Sequence, residues 1–202
     1  MTPTKTAASK DGAGPSAAKT ERRSQLLDAG AELVRTSGLM AFTMEGLASA
    51  AGVSKALPYR HFANSDAALV ALYRRELGRL AGVILASVEG MTDGEEILAT
   101  ALHAYFDQVE ERGDLLNALA GHGSPVPDLV EGGRAAPAFI IELLERAFGL
   151  RGRTAVVLGS LVGGLATAGS DSFGRGDASR STVERTTVAA TLGAVRAVLA
   201  KS

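Results

Sequence analysis

Thr43 to Phe62, TMEGLASAAGVSKALPYRHF, read as two short helices joined by a tight turn, and the rest of the chain is organised around them. Thr43 is an N-cap type whose hydroxyl accepts from an orphan backbone N–H, and Met44, Leu47, Ala48 and Ala51 follow at helical spacing as one apolar face. Gly52 supplies the backbone freedom of a sharp corner, Val53 turns inward, and Ser54 is placed to cap the second helix. The pattern is that of a helix-turn-helix. Lys55, Tyr59 and His61 lie on a segment too short to be a self-sufficient amphipathic helix, so they need a partner surface. In such a motif the start of the second helix enters the major groove, where a Lys reads guanine O6 and N7, and a tyrosine hydroxyl reaches a phosphate.

Outward from the motif, Gly38 to Leu69 resembles the DNA-binding domain of the TetR family of transcriptional repressors. The specific part is Ala50, Ala51, Gly52, Val53 and Ser54, then Tyr59, His61 and Phe62, then Asn64 ahead of Ala67 and Leu69. The resemblance implies that Thr43, Ser54, Lys55, Ala56, Leu57, Tyr59, Arg60 and His61 form the DNA face, with Phe62 closing the small core. Two positions depart from the family pattern. Leu57 and Pro58 stand where a small polar residue and an aliphatic one are usual, and with Ser54 as cap Pro58 removes the first i to i−4 bond and crowds the Ser54 carbonyl. A tightened or kinked recognition helix is expected. Ser65 stands where a phosphate-gripping lysine is common.

The chain has 202 residues and a net charge of −1, and it contains no cysteine, which excludes a disulfide framework and cysteine-based metal sites. Residues 1–62 carry eight Lys or Arg against five acids, whereas residues 63–202 carry thirteen against seventeen. A mildly basic head on an acidic body suits a small operator reader whose body keeps off DNA. With no signal-peptide order at the N-terminus and no uninterrupted apolar run of membrane length, a cytoplasmic protein is expected.

The expected architecture is all-α, with about nine helices: a disordered arm over 1–18, a three-helix head over 19–64, and a helical ligand-binding and dimerisation body over 65–202. Lys5, Lys10 and Lys19 punctuate the arm; a first helix starts at Thr20 with Leu26, Leu27, Gly30, Leu33 and Val34 inward, leaves Arg22 and Arg23 outside, either to solvate the helix or to approach the DNA backbone, and stops at Gly38. Asn64 caps a long fourth helix that ties head to body, followed by helices over 95–112 and 115–119. Pro137 sits in the first turn of the next helix or kinks one that begins near Asp128. Thr154 to Phe173 is a small-residue helix with Gly159, Gly163, Gly164 and Gly169, whose propensity cost of about 1 kcal/mol each calls for a close backbone approach such as a dimer interface. Its Ser160, Ser170 and Asp171 argue against a membrane span. Ser181 and Glu184 have capping-box spacing for the last helix.

With three histidines and no His pair at metal-binding spacing, no metal, cofactor or catalytic centre is read from the sequence. The resemblance implies a homodimer through the last two helices, a palindromic operator in double-stranded DNA with recognition helices roughly 34 Å apart, and a small-molecule inducer that releases a repressor. Tyr73, Leu102, His103, Tyr105, Phe106, Asn117, His122 and Phe139 are the candidate lining of its pocket, as aromatic or apolar surface with a few orienting polar groups. The rival reading is a helical ligand-binding or scaffold protein whose head no longer reads DNA.

Overall fold

The structure, a computed structural model, describes residues 15–112, 115–120, 126, 129 and 137–201. These residues form α1 (Pro15–Ser37), a 3-10 turn (Leu39–Ala41), α2 (Met44–Ala50), α3 (Ala56–Tyr59), α4 (Ser65–Ser87), α5 (Gly94–Arg112), α6 (Leu115–Ala120), α7 (Ala138–Phe148), α8 (Gly152–Gly174) and α9 (Arg180–Leu199), with no strand among them. The all-α expectation holds. The first helix begins earlier than its apolar stripe implies: Pro15 to Ala18, expected in a disordered arm, form its first turn, Pro15 being tolerated where an N–H has no helical partner anyway. Residues 1–14 of that arm lie outside the described residues.

The head closes around Leu26, Leu27 and Val34 of α1, Phe42, Met44 and Leu47 around α2, and Phe62. This core does not end at residue 64. Ala68, Leu69 and Leu72 of α4 belong to it, as do Leu119, Val126 and Leu129, so α4 is at once the wall of the head and the first helix of the body. Each fully buried leucine contributes roughly 1.5–3 kcal/mol. The Asn64 side chain caps α4 by accepting from the Ala67 N–H at 2.8 Å, as its sequence position suggested.

In the body, α5 packs on α4, α7 and α9, and α8 packs on α7 and α9. One cluster, Leu98, Leu102, Leu144, Leu158, Val162 and Val195 among its members, fills the space between α5, α7, α8 and α9; a second, with Ile84, Val88, Ile97, Ala101 and Leu143, joins α4 to α5 and α7. Pro137 is the N-cap residue of α7, outside the helix; Asp128, the alternative starting point, lies outside the described residues. The last helix is capped by Ser179, whose Oγ accepts from Thr182 N–H at 3.4 Å, and not by Ser181, because the loop ends two residues sooner and puts Ser181 inside the first turn.

The glycines of α8 divide into two kinds. A Cβ on Gly169 would stand 2.8 Å from Thr187 Oγ1 and 3.0 Å from Phe106 and Val183, so this glycine lets α8 lie close against α9 and α5 of the same chain. Gly164 faces open space. Of the described helices α8 alone is long and apolar enough by composition to cross a bilayer, with a mean hydropathy of 1.2 over its best window. Its Ala155, Leu158, Val162, Ala166 and Ser170 form a buried stripe along one side, while Val156, Val157 and Leu161 stand exposed on another.

Candidate nucleic-acid interface

The corner between α2 and α3 is built from backbone hydrogen bonds that its sequence makes possible. Thr43 Oγ1 accepts from the Gly46 N–H at 2.9 Å and caps α2, while its own hydroxyl proton remains available for an outside acceptor. At the other end Gly52 N–H donates to the Ser49 carbonyl at 3.1 Å and Val53 N–H to the Ala48 carbonyl at 3.0 Å, with Gly52 at φ 63°. These two bonds and the left-handed residue form a Schellman motif, and Val53 packs onto the head core as its apolar lock. The α2 to α3 angle is therefore set by Gly52, because a side chain at that φ is strained.

The second helix differs in detail from its sequence reading. Ser54 does not cap it: the N-cap is Lys55, already in helical conformation and without a side-chain cap, so the Ser54 hydroxyl stays on the exposed surface. Helix α3 is a single turn of four residues. Pro58 is its third residue, a place where no intrahelical N–H partner exists, and the Ser54 carbonyl instead takes the Leu57 N–H at 3.0 Å. The anticipated kink is absent, and the tightening is present as i to i−3 bonds from Leu57 and from Arg60, the latter to the Leu57 carbonyl. Pro58 is buried, and its carbonyl accepts from both His61 and Phe62 N–H at 2.9 Å.

One face of this unit consequently looks outward. Thr43, Ser54, Lys55, Ala56, Tyr59 and Arg60 are exposed, Tyr59 by 55%, while Leu57 and His61 are half-buried and Phe62 is inside. Six of the eight predicted DNA-face residues are thus exposed, at the start of α2, on the turn and along α3. The longer α1 adds Lys19, which the sequence reading counted with the arm, to Arg22 and Arg23, which it already placed on the outside of the first helix. Lys19, Arg22 and Arg23 lie near enough to His61, with Arg60, to oppose its protonation; burial first and then these four cations hold the imidazole below its ordinary value of 6.5. The Arg23 guanidinium sits over the Phe62 ring at 4.9 Å. Their spacing, i, i+3 and i+4, is the signal that marks Lys19, Arg22 and Arg23 as one helical face once the helix is known to reach that far. Ser65 Oγ donates to its neighbour Asp66 at 3.4 Å and contributes no positive charge at the start of α4.

The candidate pocket residues do not converge in this way. Tyr73 packs with the head core, where burial raises its phenol above 10.0, and Phe139 packs with the cluster that joins α4 to α7. Leu102 and Phe106 are buried core, with Tyr105 edge-on to Phe106 at 5.3 Å. His103 is on the outside of α5, with Nδ1 at 2.7 Å from Glu184 of α9. Asn117 is in α6, its side chain outside the described residues, and His122 lies wholly outside them. Of the described members of the set only Tyr105 borders the cleft of about 310 Å3 at the junction of α1, α4, α5 and α6, which is lined with charged groups such as Asp28, Arg35, Arg79 and Arg112. Leucine, tyrosine and phenylalanine at helical spacing serve core and pocket alike, so spacing does not separate the two roles.

Residues 26–72 match the model of the bacterial regulatory proteins of the tetR family. The chain is 34% identical over 90 residues to the HTH-type transcriptional activator FasR of Mycolicibacterium smegmatis, a match covering 45% of this chain and 41% of that protein. It is 31% identical over 85 residues to the HTH-type transcriptional regulator BetI of Rhizobium meliloti, covering 42% of each. The chain therefore spans about two-fifths of the length of these curated relatives. Over nearly the whole chain the fold is shared with the fatty acid degradation regulator FadR of Bacillus halodurans, at a TM-score of 0.66 and 19% identity, covering 91% of this chain and 97% of that one. The FadR of Bacillus subtilis, solved in complex with stearoyl-CoA, shares it at a TM-score of 0.66 and 14% identity over 83% of this chain and 96% of that one. A capped α2, a glycine-locked corner, an outward Tyr59 and the match over residues 26–72 meet in one segment, and that segment is a head similar to those of the tetR family of bacterial regulatory proteins.

Proposed function

We propose that this protein is a homodimeric transcriptional regulator that reads a palindromic operator with its head and is released from it by a small-molecule ligand held in its body. The observation that carries the DNA-binding part is the outward surface of the corner: Lys55, Tyr59 and Arg60 stand exposed beside Thr43 on a backbone whose angle is locked. Lysine reads base edges, and tyrosine and threonine hydroxyls position phosphates.

Dimerisation is supported by what α8 and α9 leave uncovered. Val157 and Leu161 of α8 are 59% and 55% exposed, Gly164 follows one turn on, and α9 presents Ala190 and Gly193, so two adjacent helices share a charge-free face of small and aliphatic residues. Such a face buries itself against its own copy in a four-helix arrangement. That the Bacillus subtilis protein of this fold was solved in complex with stearoyl-CoA supports a ligand here as well. A ligand acts by preferring the head spacing that does not fit the operator, and α4, walled into the head at Leu69 and Leu72 and into the body at Ile84, is the lever that connects the two. Whether release activates or represses depends on where the operator lies relative to the promoter; we assign repression, by occlusion of the promoter, and a cytoplasmic location.

The test is an anisotropy titration, at stated salt, against the duplex flanking the protein's own gene. The expected outcome is salt-sensitive binding to a palindromic segment, weakened by at least about tenfold in Tyr59→Ala. Binding to no DNA, or sequence-blind binding that Tyr59→Ala leaves untouched, overturns the reading.

A further inference from the structure

Helix α1 is longer than the head requires. Its first buried residue is Leu26, and of the residues between Ser16 and Gln25 all but the half-buried Ser24 are exposed, so about ten residues, roughly 15 Å of helix at 1.5 Å per residue, overhang the core. An overhang without a buried apolar side chain is not maintained by the hydrophobic core. It carries Lys19, Arg22 and Arg23, and among the described residues none of these, nor Arg60 beside them, is in an ion pair.

These cations converge on one place. His61 feels Lys19, Arg22 and Arg23 from α1 and Arg60 from the end of α3, and every charge that acts on it is positive. Its Nδ1 is buried and has no hydrogen-bond partner among the described residues, while the ring as a whole is half-exposed, and the Arg23 guanidinium is held beside it by the Phe62 face. Four cations and an imidazole with an unmet nitrogen, next to Tyr59, form an electropositive cradle suited to an anion.

We propose that the α1 overhang is a second phosphate-binding site, in which Lys19, Arg22 and Arg23 grip the DNA backbone beside the half-site read by α3 and His61 takes up a proton as the phosphate arrives. The proposal rests on the DNA-binding reading above and extends its footprint outside the helix-turn-helix. A phosphate among the four cations replaces their repulsion of the imidazolium by attraction, so the complex holds a proton that the free protein releases. The free imidazole titrates below 6.5 and the phosphate-bound one above its free value. Affinity therefore rises as pH falls through the bound-state value and levels off below the free-state value. A grip on phosphates also makes the site insensitive to base sequence, since phosphates are common to every step.

The experiment uses the full chain and a labelled mixed-sequence DNA duplex at low ionic strength, which needs no knowledge of the operator. Three proteins are compared: wild type, the triple variant Lys19→Gln, Arg22→Gln, Arg23→Gln, and the charge-preserving triple Lys19→Arg, Arg22→Lys, Arg23→Lys, each checked for helicity and melting temperature. In the neutral triple the slope of log affinity against log salt is expected to be shallower by about 2 to 3 for each engaged head, at about 0.9 for every phosphate left unneutralised. The charge-preserving triple is expected to keep the wild-type slope. Wild-type affinity is expected to increase between about pH 7.5 and pH 5.5, and His61→Gln to remove that increase at constant salt slope. Wild-type binding whose slope is the same in all three proteins overturns this site and leaves the DNA-binding reading intact. No wild-type binding to any duplex, the operator-flanking one included, overturns both.

Discussion

Arginines at the two ends of this molecule are used in opposite ways. At the head's tip Arg22, Arg23 and Arg60 have no carboxylate partner among the described residues, whereas those that cross between helices lower down are clamped. Arg75 of α4 reaches Asp28 of α1 at 2.8 Å, the Ser24 carbonyl at 3.2 Å and Glu76 at 2.6 Å, and Arg79 adds bonds to the same two acids. Arg180 of α9 is held by Asp107 and Glu110 of α5, which keeps its guanidinium above the ordinary value. Arg196 of α9 binds Glu95 of α5 bidentately, at 2.6 Å for the longer bond. A paired arginine fixes the distance between two helices; an unpaired one keeps its charge for something that arrives from outside. The same residue type is thus a strut in one region and a receptor in the other, and the neighbouring acids decide which.

The contrast can be broken at several points. Removing a strut where it is least exposed has the largest expected effect: Arg75→Met leaves Glu76, only 10% exposed at its side chain, with Arg79 alone, and cuts the tie from α4 to α1. A loss of about 2 kcal/mol in unfolding free energy is expected in urea titration. The same variant should also weaken operator binding, because α1 and α4 set the head's attitude. Full stability in Arg75→Met would remove the distinction between strut and receptor at the head–body joint.

At the receptor end the two readouts separate. Lys55→Gln is expected to lower operator affinity about tenfold, roughly 1.4 kcal/mol, with an unchanged urea midpoint, since Lys55 is exposed and has no ion-pair partner among the described residues. A shift in midpoint comparable to that of Arg75→Met would show Lys55 to be structural. The smallest effect belongs to a strut on the open surface. Arg196→Gln removes a pair in which both side chains are about half-exposed or more, and its thermal midpoint is expected to coincide with that of wild type. The Glu95 carboxyl, held below the usual carboxylate range by Arg196, should rise to an ordinary value in that variant, which carboxylate titration by NMR reads directly.

How much of this was legible beforehand varies by element, for physical reasons. Thr43, Gly52 and Asn64 act through bonds to residues within a few positions, so their roles as cap, corner and cap were readable from local order alone. The misplaced cap at Ser181, in place of Ser179, has the same origin in reverse: both serines precede an apolar stripe, and only the course of the loop from α8 chooses between them. Pro58 was legible as an irregularity, but its consequence depended on where α3 begins, and Lys55 as N-cap moves the proline into the first turn. The pocket candidates scattered into several packing clusters because apolar periodicity reports burial and is silent about whether the space beyond is filled.

By itself the sequence determined the all-α class, the helix-turn-helix with its Gly52 corner, the outward position of Tyr59 and the long fourth helix, because each of these follows from periods and capping chemistry within a single turn or two. Tertiary structure decided that Gly169 serves the close approach of α8 and α9 within one chain, that Leu69 and Leu72 make α4 part of the head, and that Lys19, Arg22 and Arg23 gather around His61. Those outcomes depend on which distant side chains share a surface, and charge and close approach act through space rather than along the chain.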